Sequence, residues 1–182
     1  MGGAVLAMVE LVSPGTFDGL VLVEPILLEG SARRRPYPLA GVVRKRRRVF
    51  ESRESARANF GRKAPFSCWD PIALDGYIEE GLVERHGQIE LSCSPEFEAE
   101  VYDAASAHGL LELVSEVDVP AVVIVGDRSD TYSVEWGAAI ARAFGRGELV
   151  VVGGGTHFIP MERPDVVAAE ALSVLRSLAS AQ

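Results

Sequence analysis

Two polar residues, Asp130 and His157, follow two strongly apolar runs of the chain. Asp130 belongs to "GDRSD", after "VPAVVIVG", and His157 belongs to "GGGTHFIPMERP", after "ELVVV". Such runs are typical of buried strands in parallel sheets, whose carboxyl ends share one edge where ligands bind. A carboxylate beside an imidazole holds the ring in one tautomer, which leaves the other ring nitrogen free as a general base. We therefore predict that Asp130 and His157 form a catalytic pair.

Two other carboxylates lie near the same predicted edge. Asp127 is three residues ahead of Asp130, and we expect its side chain to fix a turn. Glu24 ends the first apolar run, "LVLVEP", and is a second candidate for the acid, although a substrate-binding position lining the pocket is the favoured interpretation. His86 and His108 have polar or helical surroundings, so we expect both at the surface.

The apolar runs predict three strands, over residues 19–24, 119–126 and 148–155. Between the last two strands, "SVEWGAAIARAFG" predicts a helix that Ser133 caps and Gly145 ends. After the third strand, "RPDVVAAEALSVLRSLA" predicts a final helix with proline in its first turn. This alternation predicts an α/β fold with a parallel sheet of about three strands.

The opening stretch, "MGGAVLAMVELV", predicts a helix with apolar residues on every side, and hence a buried one. A helix leaves its first four N–H groups unpaired, and a Ser, Thr, Asp or Asn ahead of it usually accepts from one of them. Nothing in the sequence precedes this helix to do so. We therefore expect that another segment normally comes before it.

The long insert between the first two strands has a different sequence pattern, with helix starts in place of apolar strand runs. We predict a core made of residues 1–25 and 119–182, and a helical lobe made of residues 26–118. The lobe contains three predicted helices: an amphipathic one over 42–60 in "VVRKRRRVFESRESARANF", one beginning at Asp70-Pro71 and one beginning at Ser94-Pro95.

Together these segments resemble the α/β-hydrolase family. "MGGAVLAMVELVSPGTFDGLVLVEP" is similar to the part of the family that follows its nucleophile elbow, Gly-x-Ser-x-Gly, with Met1 and Gly2 in the last two positions of the elbow. "VPAVVIVGDRSD" resembles the strand that bears the acid, and "VVVGGGTHFIPMERPDVV" resembles the histidine strand, its loop and the last helix. The order of acid and then histidine agrees with the family. The resemblance makes the insert a helical cap over the active site.

The resemblance implies a hydrolase that cleaves an ester or similar bond in a small, largely apolar substrate, without a cofactor. A serine would attack, His157 would transfer its proton and Asp130 would orient the imidazole. Met1 would lie at the substrate, in the position of the oxyanion-hole donor. The chain starts one position after the nucleophile, so we expect a truncated hydrolase, either a fragment or a gene whose start was placed at an internal methionine, that is inactive alone. The nucleophile stays open among Ser, Asp and Cys, and certain haloalkane dehalogenases carry the acid at the position of Glu24.

The composition indicates a globular protein of 182 residues, 48% of them hydrophobic, with a mean hydropathy of +0.15. No apolar run reaches the roughly 20 residues needed to cross a bilayer. Cys68 and Cys93 fit neither a disulfide framework nor a metal spacing, so we expect free thiols in the cytoplasm. Three scattered histidines predict no metal site, and the glycines lack the Gly-x-Gly-x-x-Gly spacing of dinucleotide sites.

The net charge of −8 is unevenly placed along the chain. Residues 31–63 hold 12 of the 18 basic residues and two acidic ones, a balance of +10. Clustered arginines suit phosphate binding, but no aromatic stacking platform accompanies them and the pI is about 4.9. We therefore interpret the segment as the solvated face of a cap helix, with a smaller role in attracting an anionic substrate left open. A small molecule, and neither nucleic acid nor a membrane, is the expected partner.

A non-catalytic binding or assembly module is the alternative function. Without its neighbour, the strand over 19–24 would present an open, apolar edge that invites pairing with another chain or a second copy.

Overall fold

The computed structural model describes residues 1–30, 38–104 and 109–180. In chain order, the helices and strands are α1 (Gly2–Val12), β1 (Leu20–Val23), α2 (Pro38–Val43), β2 (Val49–Phe50), α3 (Arg53–Phe60), α4 (Pro71–Glu80), β3 (Leu82–Arg85), β4 (Gln88–Leu91), α5 (Pro95–Ala104), β5 (Ala121–Gly126), α6 (Val134–Ala143), β6 (Gly147–Val152), α7 (Ile159–Glu162) and α8 (Pro164–Ser180).

The chain divides into two compact units, one formed by Met1–Ala32 with His108–Gln182 and the other by Arg33–Ala107. The first unit includes, besides the predicted core, residues from both ends of the predicted insert. Leu27, Leu110 and Val114 are buried in the same hydrophobic cluster as the strands of this unit. Their burial in this cluster accompanies their place in the first unit.

The first unit contains a parallel sheet with the strand order β1-β5-β6. All six residues of β5 are buried, as expected for a central strand between two partners. The register pairs Val23 with Ile124 and Gly126 with Val152, so the three strands end close together. The predicted α/β fold with three parallel strands is confirmed, although β6 ends at Val152 and residues 153–158 form a loop.

Side chains of the sheet alternate between two hydrophobic clusters, one on each face. One cluster joins α1 and α6 to residues such as Leu22, Val123 and Val125. The other joins the valines of α8 to Val122 and Ile124. The helices on the two faces hold the strands, and therefore the loops at their carboxyl ends, in place.

The prediction that α1 is buried on every side is wrong. The helix buries only Ala4, Ala7 and Glu10. Gly3 allows α1 to approach Pro25 closely, since a Cβ on Gly3 would lie 2.8 Å from the Cβ of Pro25. The outward-facing apolar residues are 36% to 80% exposed: Met1, Val5, Leu6, Met8, Val9 and Val12. An apolar pattern shows which sides of a helix can be buried. The segments that pack against the helix determine which of these sides are buried.

In its described part, the second unit contains the four α-helices α2 to α5 and an antiparallel sheet with the strand order β2-β4-β3. The continuous helix predicted over residues 42–60 is wrong, because β2 separates α2 from α3. The β-branched and aromatic side chains of Val49 and Phe50 suit a strand, and Ser52 begins α3 with a reciprocal capping box. The predicted helix starts at Asp70-Pro71 and Ser94-Pro95 are confirmed.

Among the described residues of the basic segment, five arginines are paired with acidic residues of the second unit, whereas Arg47 and Arg62 donate to backbone carbonyls. The ion pairs are Arg44–Asp103, Arg46–Glu98, Arg48–Glu90, Arg53–Glu79 and Arg57–Asp75. Arg33, Arg34 and Arg35 lie outside the described residues.

Within the described ranges, no helix is both long enough and apolar enough to span a bilayer.

Candidate active site

The carboxyl ends of β1, β5 and β6 bring three parts of the chain together. Glu24 follows β1 directly, and its backbone N–H donates to the carbonyl of Ile124 at 2.9 Å, which continues the ladder with β5. Residues 127–133 follow β5, and residues 153–158, which include His157, follow β6. This edge is where parallel sheets commonly place their ligands.

His157 and Glu24 form the central contact of this edge. The imidazole Nδ1 lies 2.6 Å from Oε2 of Glu24. The carboxylate is fully buried, with 0% of its side chain exposed, whereas the imidazole is 32% exposed. Because an ionised carboxylate only accepts hydrogen bonds, this contact places the proton of a neutral ring on Nδ1 and leaves the lone pair on Nε2. A ring held in this way can take a proton from a neighbouring hydroxyl.

Three donors replace the water that the Glu24 carboxylate has lost. Besides His157 on Oε2, the hydroxyl of Ser129 donates to Oε2 at 2.8 Å and the backbone N–H of Gly126 donates to Oε1 at 3.0 Å. Glu24 also has a φ of +41°, a backbone conformation that few non-glycine residues adopt. Residues held in such regions cost about 1–3 kcal/mol and occur preferentially at functional sites.

The structure pairs His157 with Glu24 where the sequence predicted Asp130. Asp130 is exposed, and its Oδ1 accepts from the hydroxyl of Thr131 at 3.3 Å. Within the loop after β5, the residue that contacts the Glu24 carboxylate is Ser129, one position before Asp130. The available signal for Glu24 was its position directly after a buried apolar run, where an unpartnered charge would be costly.

The loops after β5 and β6 are joined by backbone contacts that need glycine. The N–H of Arg128 donates to the carbonyl of Gly155 at 3.0 Å. A Cβ on Gly126 would lie well inside van der Waals contact with the same carbonyl oxygen. Asp127 adds a third contact, because its Oδ1 accepts from the N–H of Gly154 at 2.7 Å. Its side chain thus fixes backbone, as predicted, although the backbone belongs to the neighbouring loop.

The loop that carries His157 is also held from its other end, by Glu162 of α7. The Glu162 carboxylate accepts from the N–H of Thr156 at 2.9 Å and from its hydroxyl at 2.6 Å. The Thr156 hydroxyl in turn accepts from the N–H of Phe158 at 3.2 Å. Both neighbours of His157 are therefore fixed. Sequence reasoning missed Glu162, whose role depends on the turn between β6 and α7.

The structure describes three of the other predicted residues: Met1, Glu24 and His86. Met1 is 53% exposed, and its carbonyl accepts from Ala4 and Val5 at the start of α1. Glu24 was expected to line a pocket and instead is buried beneath the imidazole. His86 is exposed in the hairpin turn between β3 and β4, and His108 lies outside the described residues.

Cys68 and Cys93 are exposed free thiols. Among the described residues, no group of three or more His, Cys, Asp or Glu side chains is placed to hold a metal ion.

Comparison with known proteins agrees with this arrangement of strands. The family model described as "Alpha/beta hydrolase family" matches residues 1–170. This chain belongs to the α/β-hydrolase family. No curated protein sequence matches it.

Solved structures of α/β hydrolases and related enzymes share its fold. The peroxisomal α/β-hydrolase Lpx1 from Saccharomyces cerevisiae has a TM-score of 0.78 and 18% identity, and the match covers 99% of this chain and 52% of Lpx1. E-2-(acetamidomethylene)succinate hydrolase has a TM-score of 0.74 and 16% identity, over 94% of this chain and 62% of that one. A thioesterase domain from the curacin biosynthetic pathway has a TM-score of 0.68 and 16% identity, over 95% and 63%. This α/β-hydrolase chain thus spans between half and two thirds of the length of these relatives.

Proposed function

We propose that this chain carries the acid–base part of the active site of an α/β hydrolase that cleaves an ester or similar bond in a small, largely apolar substrate. The observation that supports the proposal best is the contact between Nδ1 of His157 and the buried carboxylate of Glu24. Glu24 takes the role of the acid that the sequence suggested for Asp130. The hydrolase and esterase neighbours agree with this class of reaction.

The geometry suggests the following steps for an ester. Nε2 of His157 takes the proton of the attacking nucleophile as the nucleophile bonds to the carbonyl carbon, and then gives this proton to the leaving alkoxide as the C–O bond breaks. Glu24 stabilises the imidazolium between these two transfers. A water molecule then repeats the cycle on the acyl intermediate, with His157 as its base, and releases the acid and the free nucleophile.

The nucleophile of this proposal lies outside residues 1–182. Ser or Cys would carry the proton that these steps transfer, whereas an ionised Asp carries none and would indicate the reaction of a dehalogenase or an epoxide hydrolase instead. Loss of the nucleophile from a complete triad lowers turnover by about 10⁶ in a well-studied protease. We therefore expect the isolated chain to be inactive. Hydrolysis of p-nitrophenyl acetate by purified 1–182 that is abolished in His157→Ala would overturn this part of the proposal.

The decisive experiment begins with the nucleotide sequence upstream of the Met1 codon. If it encodes Gly-x-Ser in frame, the extended protein should hydrolyse p-nitrophenyl acetate. We expect His157→Ala and Glu24→Gln to lower kcat by a factor of about 10³ or more, whereas the matched variant Asp130→Asn should stay within a factor of about two. Loss of activity in Asp130→Asn with retention in Glu24→Gln would contradict the assignment of Glu24.

A binding or assembly module is a second candidate, and two observations favour it. Met1 and five apolar residues on the outward side of α1 are exposed, and β1 hydrogen-bonds to β5 alone among the described strands. An open strand edge beside apolar surface favours association with another chain. Size-exclusion chromatography of 1–182 tests this candidate, because a folded monomer at all concentrations would contradict it.

A further inference from the structure

We propose that Ser129 is a positioning residue of the Glu24–His157 pair. Its hydroxyl group holds the oxygen of Glu24 that faces the imidazole. This inference rests on the proposed function, since it concerns the same acid–base pair. Ser129 itself lies in the connection between β5 and α6, where a serine would ordinarily be interpreted as a turn residue.

The hydrogen bonds around Ser129 fix the direction of its hydroxyl proton. The oxygen accepts from the N–H groups of Thr131 at 3.2 Å and Tyr132 at 3.0 Å. A serine hydroxyl has two acceptor lone pairs and one proton. With both lone pairs directed at backbone N–H groups, the proton points to Oε2 of Glu24, 2.8 Å away.

The oxygen that Ser129 holds is the one that determines the state of the imidazole. Oε2 accepts from both Ser129 and His157, whereas Oε1 accepts from the N–H of Gly126. Donors on both oxygens prevent rotation of the carboxylate about its last bond. Oε2 therefore stays directed at Nδ1, and the ring stays in the tautomer with its lone pair on Nε2.

The turn that contains Ser129 is anchored next to Glu24 on its other side. The hydroxyl of Tyr132 donates to the carbonyl of Pro25, the residue that follows Glu24. The N–H of Ser129 donates to the carbonyl of Gly126 at 3.3 Å. These contacts hold the Ser129 hydroxyl and the Glu24 carboxylate in a fixed relation, which a positioning role requires.

The tautomer of His157 distinguishes this role from a merely structural one. Long-range ¹H–¹⁵N correlation spectra of the isolated chain report which ring nitrogen carries the proton, and the exposed His86 serves as an internal reference. We expect predominantly the Nδ1–H form of His157 in the unmodified chain. Ser129→Ala should lower the ratio of the Nδ1–H to the Nε2–H form about fivefold, the effect of losing one typical hydrogen bond, and Ser129→Thr should restore it.

Ser133→Ala is the matched control for this experiment. Ser133 also accepts from a backbone N–H of the same connection, that of Trp136 at 3.2 Å, as the N-cap of α6. The Ser133→Ala variant should therefore have lower stability but the same tautomer of His157. If Ser129→Ala does not fold, Ser129→Cys makes the same comparison with a weaker donor, and a smaller loss of the Nδ1–H form is expected.

Glu24→Gln separates failure of this inference from failure of the proposed function. If Glu24→Gln changes the tautomer ratio but Ser129→Ala and Ser129→Cys leave it at the value of Ser133→Ala, the role of Ser129 is contradicted and the acid–base pair stands. If Glu24→Gln also leaves the ratio unchanged, the pair itself is contradicted, and with it the proposed function.

Discussion

The end of β1 and the loop after β5 each bring a carboxylate to the same edge of the sheet, and the two carboxylates meet different surroundings. Glu24 is fully buried with donors on both oxygens, whereas Asp130 is exposed beside the hydroxyl of Thr131. Burial of an ionised carboxylate is costly unless donors replace its water. The donors around a carboxylate, more than its place in a loop after a strand, therefore determine whether it can hold an imidazole.

Glu24 and Asp130 also differ in backbone conformation. Glu24 has a φ of +41°, whereas Asp130 is not among the residues with positive φ. The conformation of Glu24 is maintained by its ladder hydrogen bond to Ile124 and by the contacts of its side chain. The unusual backbone conformation at the end of β1 therefore coincides with the buried contact to His157.

Gly126→Ala is expected to lower stability the most. The added Cβ would collide with the carbonyl of Gly155 and separate the two loops, at a cost of about 3 kcal/mol in the free energy of unfolding. Gly153→Ala is the matched control, because a Cβ there would meet nothing within 4 Å. It should change stability by less than about 0.5 kcal/mol. Urea unfolding of both variants measures the difference, and equal values would show that the loops are not closely joined.

Glu24→Ala and Asp130→Ala test the comparison of the two carboxylates directly. Glu24→Ala leaves three donors without their acceptor and should lower the free energy of unfolding by about 2 kcal/mol. Asp130→Ala should lower it by less than about 0.5 kcal/mol, as is usual for an exposed side chain. Urea unfolding measures both changes. A larger loss in Asp130→Ala would reverse the assignment of the two residues.

Glu162→Gln probes the support of His157 from α7. The amide keeps one acceptor for Thr156 but loses the charge, so we expect a loss of about 1 kcal/mol. Glu148→Gln, at an exposed position of β6, should have little effect. Thermal unfolding compares the two variants. The same midpoint for both would indicate that the Glu162 carboxylate does not stabilise the loop.

The smallest expected effect is that of Asp127→Ala. Its single hydrogen bond to the N–H of Gly154 is exposed, so the cost should be about 0.5 kcal/mol. Amide hydrogen exchange is the sensitive measurement here, because the Gly154 N–H loses its acceptor and should exchange about threefold faster. Unchanged exchange at Gly154 would mean that the two loops are joined by backbone contacts alone.

The parallel sheet was predictable because its strands are continuous apolar runs bounded by turn residues, which is a local signal. The helix starts at Asp70-Pro71 and Ser94-Pro95 were predictable for a similar reason, since capping involves neighbouring residues. The structure of residues 42–60 was not predictable in this way. Their apolar spacing fits a helix, but the pairing of β2 with β4 is a contact across about 40 residues that periodicity cannot show.

The family resemblance, the three parallel strands and the place of His157 after β6 could be read from the amino-acid sequence, because each depends on residues close together in the chain. The carboxylate that contacts the imidazole could be identified only from the folded structure. Glu24 and His157 are 133 residues apart, and their contact depends on the register of β1 with β5, on the positive φ of Glu24 and on the close approach that Gly126 allows. Hydrogen bonds of this kind are set by the packing of whole elements, so no local pattern reveals them.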